Sequence, residues 1–180
     1  MKKFIFALGV LCIAGCSDYQ SIKTVDYVDL NRFMGKWYVI ANIPTFIEKD
    51  AHNAFEIYQK SSDGKITTTF RYNKASFDGE LVEYHPVATV VDDGSNAIWK
   101  MQFIWPFKAD YRVIHIDENY KKTIIGRIKR DYVWIMARTP DISEEEFNEM
   151  LNIVRLQGYD SRRLQRVPHQ YEPKELVWRT

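Results

Sequence analysis

Few side chains in this 180-residue sequence are placed for chemistry. Histidines occur at positions 52, 85, 115 and 169, and no two stand at the H-x-x-x-H spacing that would turn both rings toward one metal ion. The two cysteines, Cys12 and Cys16, both lie near the N-terminus, so no thiol downstream can serve as nucleophile, metal ligand or disulfide partner. A G-x-S-x-G elbow, a P-loop and a Rossmann fingerprint are all absent from the sequence. His115, two residues before Asp117, and Glu56 are the groups on which an enzymatic reading would have to rest. Only Cys16 sits in a context that points to a definite reaction.

That context is the N-terminal leader. Lys2 and Lys3 precede an apolar run from Phe4 to Ala14, too short to span a bilayer and built like a secretion signal. The run ends in Ile13-Ala14-Gly15-Cys16, which resembles the lipobox of bacterial lipoproteins. The resemblance implies that residues 1–15 are removed and that Cys16 becomes the lipidated first residue; the alternative is an ordinary signal with an incidental Cys. Ser17 rather than Asp follows, which by resemblance to Gram-negative sorting patterns implies the outer membrane, with the protein anchored there on the periplasmic face. Cys12 would be lost with the leader, leaving a secreted domain whose core must hold it without a disulfide. Of 25 basic and 24 acidic residues only Lys2 and Lys3 would go, so the net charge stays close to zero and gives no footprint for nucleic acid.

The elements that follow read as strands. A polar stem, residues 16–28, is expected to lead into Gly35–Ile43, Phe55–Gln59, Ile66–Tyr72, Val87–Val91, Ala97–Phe103, Tyr111–Ile116, Thr123–Ile128 and Tyr132–Arg138. Turn signals such as Asp63-Gly64 and the run DDGSN separate them. Many short strands at regular spacing predict an all-β protein, an eight-stranded antiparallel up-and-down barrel or a sandwich. One helix follows, with Ser143 and Glu146 at capping-box spacing, an apolar stripe through Phe147, Met150, Leu151 and Val154, and Gly158 at its end. With 46% hydrophobic residues the chain suits one domain, residues 29–170, and a tail, residues 171–180.

If the strands alternate up and down, Trp37 and Arg138 meet at the closed end, and the guanidinium can lie across the indole. Periodicity alone leaves open that they are two unrelated core residues. The motifs go further. Gly35-Lys36-Trp37 resembles the G-x-W signature of the lipocalins, and Arg138 in the run from Trp134 to Pro140 resembles the Arg which that family packs on the Trp. Asp117, after the Tyr111–Ile116 strand, resembles the family's second motif, with Ile116 in place of the usual Thr and a shorter turn. The short form, with the lipobox, is similar to the bacterial outer-membrane lipoprotein lipocalins. The resemblance spans about residues 29–168 and implies a barrel with its C-terminal helix packed outside, and structural roles for Gly35, Trp37, Asp117 and Arg138.

Alternation then predicts the lining. Lys100 and Gln102 facing water turn Trp99, Met101 and Phe103 inward; Arg71 does so for Phe70 and Tyr72, and Arg112 for Tyr111 and Val113. Parity with Arg138 adds Tyr132, Trp134 and Met136, and parity with Trp37 adds Val39 and Ala41. The Phe55–Tyr58 strand stays unassigned. Lys49, Lys74, Lys108, Lys129 and Arg130 fall on loops at the open end, mixed with Glu48, Asp50, Asp78 and Asp131, and read as a solvated rim. An apolar lining suits an acyl chain, and the resemblance implies a fatty acid or lysophospholipid ligand, a role in membrane maintenance or repair, and no cofactor, metal or catalytic group. A lipid- or isoprenoid-modifying enzyme on the same barrel and a filled, purely structural barrel are the competing readings.

Overall fold

The computed structural model describes residues 21–91 and 93–170. The leader, Cys16 and the tail 171–180 lie outside the described residues. Among the described residues a short helix α1, Leu30–Phe33, precedes ten strands: β1 Gly35–Ile43, β2 Ala51–Lys60, β3 Ile66–Lys74, β4 Leu81–Tyr84, β5 Val87–Val90, β6 Ile98–Ile104, β7 Phe107–Ile116, β8 Lys122–Gly126, β9 Val133–Ala137 and β10 Gln165–Arg166. All pair antiparallel, and β1 closes on β9, so the sheet is a barrel. β4 and β5 both pair with β3 and form two halves of one stave, broken at His85-Pro86, which leaves eight staves. Proline has no N–H for the ladder, so a break at that point is expected.

Of the eight expected strands Gly35–Ile43 alone keeps both ends, and four of the differences reshape the mouth or the seam. β2 begins at Ala51, and β7 begins at Phe107, so parts of two expected loops are strand. β8 stops at Gly126, and Val133–Ala137 is shorter than the expected Tyr132–Arg138. The stem also differs: Ile22 and Val28 are buried, and the Val25 amide donates to the Val113 carbonyl at 3.1 Å. The packed domain therefore begins ahead of Asp29.

Two apolar clusters follow from the layering. One fills the barrel and includes Trp37, Val39, Phe70, Tyr72, Trp99, Met101, Tyr111, Val113 and Met136. The other lies between the outer wall and the helix α2, Glu144–Leu156, and includes Ile40, Ile43, Ile124, Ile135, Phe147, Met150 and Val154. Ala41 belongs to this outer cluster, contrary to its parity with Trp37. A bulge between Val39 and Ala41 shifts the pairing with β9 by one residue, so Ala41 stands opposite the outward Ile135 and Asn42 opposite the inward Trp134.

The helix starts as its sequence requires. Ser143 Oγ accepts from the Glu146 amide, the Glu146 carboxylate accepts from the Ser143 amide, and Ile142 packs against the outer cluster that holds Phe147. Gly158 follows at φ +82, the left-handed geometry that favours glycine. Ser143→Ala is expected to cost about 1 kcal/mol, read as a lowered urea midpoint at unchanged m-value.

The chain beyond the helix returns to the barrel. β10 pairs with Ala41 and Asn42 of β1, the Val167 amide donates to the Ile40 carbonyl at 3.0 Å, and the Asn53 amide donates to the Pro168 carbonyl at 2.8 Å. Residues 165–168 thus fill the seam where β1 and β2, paired only from Gly35 to Tyr38 on the β1 side, part company.

Candidate functional site

The closed end is built around Trp37. Its indole is fully buried, Nε1 donates to the Phe33 carbonyl at 2.8 Å, and the Arg138 guanidinium lies 3.7 Å from the ring centroid. Arg138 also donates to the carbonyls of Arg32, Phe33, Met34, Lys36 and Tyr120. Burial holds its pKa down at about 10, still far above neutrality. Gly35 at φ +95 passes beneath it; a Cβ there would stand 3.4 Å from Arg138 Nη1. Asp117 closes the β7–β8 turn, its Oδ1 accepting from the amides of Lys121 and Lys122 at 2.6 and 2.7 Å. The plug is therefore one hydrogen-bonded unit.

Above it the barrel opens into a cavity of about 440 Å³, within the range of small-molecule sites. Phe70, Met101, Phe103, Tyr111, Tyr132 and Trp134, all expected inside, line it. Val39, Tyr72, Trp99 and Val113 are buried in the barrel cluster but do not line the cavity. Trp99 lies lower, stacked on Tyr111 with centroids 4.9 Å apart and edge-on to Phe33. Tyr72 holds a rim loop instead, its hydroxyl donating to the Ile47 carbonyl.

Several lining residues were not foreseen. Thr45–Glu48 folds over one side of the mouth, and Tyr84 comes from the unpredicted β4. Glu48, expected in a solvated rim, is buried: it accepts from Trp134 Nε1 at 3.0 and 3.1 Å and from the Thr45 amide at 2.9 Å. Burial pushes its pKa up. The unassigned strand also resolves, because Glu56 and Tyr58 are buried facing inward while Phe55 lies outside beside Tyr38 and Lys36. Glu56 lines the cavity and accepts from the Tyr58 hydroxyl, which lies 2.7 Å from that of Tyr111. Burial first, and then the charge of Glu48, raise its pKa to about 8, so it is a neutral acid at pH 7.

Cations stand on the same lining. Lys108 and Arg127 border the cavity; Arg127 Nη1 is 3.5 Å from Asp131, while its Nε is enclosed without a hydrogen-bond acceptor. The wall is thus largely apolar, and its polar border mixes the carboxyls of Glu48, Glu56 and Asp110 with Lys108 and Arg127, Asp110 being paired with Arg112. That arrangement fits an amphiphile with a polar head group and an apolar tail.

His115 is not brought to this site. It pairs with Ile124 of the outer cluster, and burial lowers its pKa. His169 bonds through Nε2 to the Val39 carbonyl, His85 lies beside Glu83, and His52 is edge-on to Phe77. No group of three or more His, Cys, Asp or Glu able to hold a metal occurs among the described residues.

Comparison with known proteins agrees with this architecture. Residues 28–169 match the family model described as a lipocalin-like domain. The chain is 27% identical to the outer membrane lipoprotein Blc of Vibrio cholerae, over 91% of this chain and 96% of that protein. It is 31% identical to the protein of the same name from Citrobacter freundii, over 81% of each. Arabidopsis thaliana temperature-induced lipocalin-1 is 28% identical over 88% and 89%. Among solved structures, insecticyanin from the tobacco hornworm superposes with a TM-score of 0.64 at 14% identity, covering 84% of this chain and 85% of that one, which speaks for the fold alone. With a closed eight-stave barrel, a Trp37–Arg138 plug and an outer helix, matched over most of its length, the chain belongs to the lipocalin family.

Proposed function

We propose that this lipocalin is a lipid carrier of the outer membrane, anchored through Cys16, which binds, stores or transfers fatty acids or lysophospholipids in membrane maintenance or repair. One observation carries the reading: a cavity of about 440 Å³ with an aromatic and aliphatic wall and with Lys108 and Arg127 on its border. Burying a sixteen-carbon tail at ~0.8 kcal/mol per methylene gains on the order of 10 kcal/mol before ordering costs, so no catalytic group is required for tight binding. The leader with its lipobox and the similarity to outer membrane lipoproteins support the location. The ligand-contact roles go to Phe70, Met101, Phe103, Tyr111, Tyr132 and Trp134, with Val39, Tyr72, Trp99 and Val113 supporting them from the core.

An enzymatic reading needs its acid and base on one ligand. Glu56 lines the cavity, whereas His115 lies on a strand position backed by the outer cluster, which favours the carrier.

The test is a titration of delipidated protein beginning at Ser17 with fatty acids and lysophospholipids. Trp134 on the cavity wall is the fluorescent reporter. One-to-one saturable binding with the ligand recovered intact by mass spectrometry is expected. Ala109→Phe, which adds a ring to the lining beside Met101, should weaken binding at least tenfold while circular dichroism is unchanged. Chemically altered ligand would establish the enzyme instead, and no binding at all the filled barrel.

A further inference from the structure

The rim of the barrel is apolar where a water-facing loop has no need to be. Phe46 is 87% exposed, Trp105 83%, Phe107 76% and Ile104 69%, and Ile128 adds to them from the β8–β9 connection. These are the largest exposed apolar side chains at one end of the molecule, and Phe46, Ile104 and Phe107 also line the cavity, so the exposed patch runs into the interior without a polar break. Solvent-exposed apolar surface of this kind marks an interaction site. Exposed lysines flank it: Lys108 follows Phe107, Lys129 follows Ile128, and Lys49 lies three residues from Phe46.

The path of the N-terminal segment indicates the occupant. Ile22 packs against Gly126, the residue before Arg127 on the cavity wall, and Lys23 pairs with Gln157 at the end of α2. From there the chain descends the outer wall, past Val113 and Ser95, and reaches the closed end at Asp29, whose amide donates to the Tyr120 hydroxyl. Ser21 therefore leaves the domain at the level of the mouth. Cys16 is five residues further on, a reach of no more than about 18 Å even fully extended.

We infer that the rim formed by Phe46, Ile104, Trp105, Phe107 and Ile128 docks on an anionic bilayer surface, mouth toward the lipid, so that a ligand passes between membrane and cavity without crossing water. The inference rests on the carrier reading above, and it supplies what that reading lacks, a route for the ligand. Aromatic side chains suit the interfacial zone, and basic residues beside them favour anionic head groups.

Protein beginning at Ser17, which keeps every described residue and has no acyl anchor, is mixed with phosphatidylcholine vesicles with and without phosphatidylglycerol. Cosedimentation is expected, several-fold tighter on the anionic vesicles. Trp105→Glu should lower the bound fraction at least tenfold, whereas Tyr27→Glu, at an exposed aromatic two residues before Asp29 and the closed end, should leave it unchanged. Brominated phosphatidylcholine is expected to quench the unaltered protein more than Trp105→Phe, which reports docking without a disruptive substitution. Absence of cosedimentation would overturn the proposal, as would binding with no Trp105-dependent quenching, because another face would then be in contact. Loss of a dimer on Trp105→Glu, without vesicle binding by the unaltered protein, would assign the patch to a second copy of the chain and likewise overturn it. Ligand titration without vesicles is read separately, so a failed docking test leaves the carrier reading standing.

Discussion

Glu56→Gln should raise stability at pH 9 by roughly 5 kcal/mol and leave it nearly unchanged near pH 4. Glu56 lies inside the barrel with the Tyr58 hydroxyl donating to it, and its pKa rises from 4.5 to about 8 on folding. The folded protein holds this proton through a range in which the unfolded chain has lost it. Stability is therefore fully present below pH 4.5 and falls as pH climbs toward 8, where the buried carboxylate must ionise. Gln keeps the shape and the acceptor for Tyr58 but has no proton to lose, so the slope between pH 5 and 8 should flatten. Urea unfolding of both proteins across that range checks it, and parallel slopes would refute the assignment of a neutral Glu56. Fatty acid affinity should follow the same course, falling above pH 8 in the unaltered protein and holding in Glu56→Gln, because an ionised carboxylate on the lining draws water toward the ligand tail.

Arg138→Ala should cost about 3–5 kcal/mol, out of proportion to a half-buried surface residue. Its guanidinium donates to five backbone carbonyls drawn from the turn at Tyr120 and the segment 32–36, and covers the indole of Trp37. Removing it takes a donor from all five carbonyls, of which that of Phe33 keeps the Trp37 indole N–H, and uncovers an aromatic that is otherwise wholly buried. Arg138→Lys should recover only part of the loss, since an ammonium has three donors and no planar fork. A double-mutant cycle with Trp37→Phe should isolate a coupling of about 0.5–2 kcal/mol for the stacked pair. A loss below 1 kcal/mol for Arg138→Ala would mean that the apolar core alone seals this end.

The closed end was legible in the sequence because its parts are large, unusual and locally patterned. Gly35 and Trp37 stand together in the chain, and Arg138 closes the last expected strand, one residue beyond β9. The misplacement of Ala41 has a physical cause. From Val39 to Ile43 every residue of β1 is buried, the inner ones by the barrel and the outer ones by α2, so alternation vanishes and a bulge leaves no trace. Glu56 was unreadable for the opposite reason, since it places a carboxyl on a face that parity otherwise reserves for apolar residues. Glu48 belongs to a loop whose burial depends on Trp134, 86 positions away, and no local pattern carries that. The strand β4 is four residues of alternating exposure cut off by Pro86, too short and mixed to announce itself.

The seam between β1 and β2 bears on the order in which this molecule can be completed. The residues that fill it, 165–168, come after every other strand and after the helix. A chain emerging from its N-terminus first can assemble its staves in sequence and close β9 on β1, yet the outer part of that seam waits for the last stitch. The barrel is thus shut twice, once by its eighth stave and once by a C-terminal clasp. A nascent or truncated chain lacking the clasp would expose unpaired backbone at β1, at Ile40, where strand-to-strand capture by a neighbour begins.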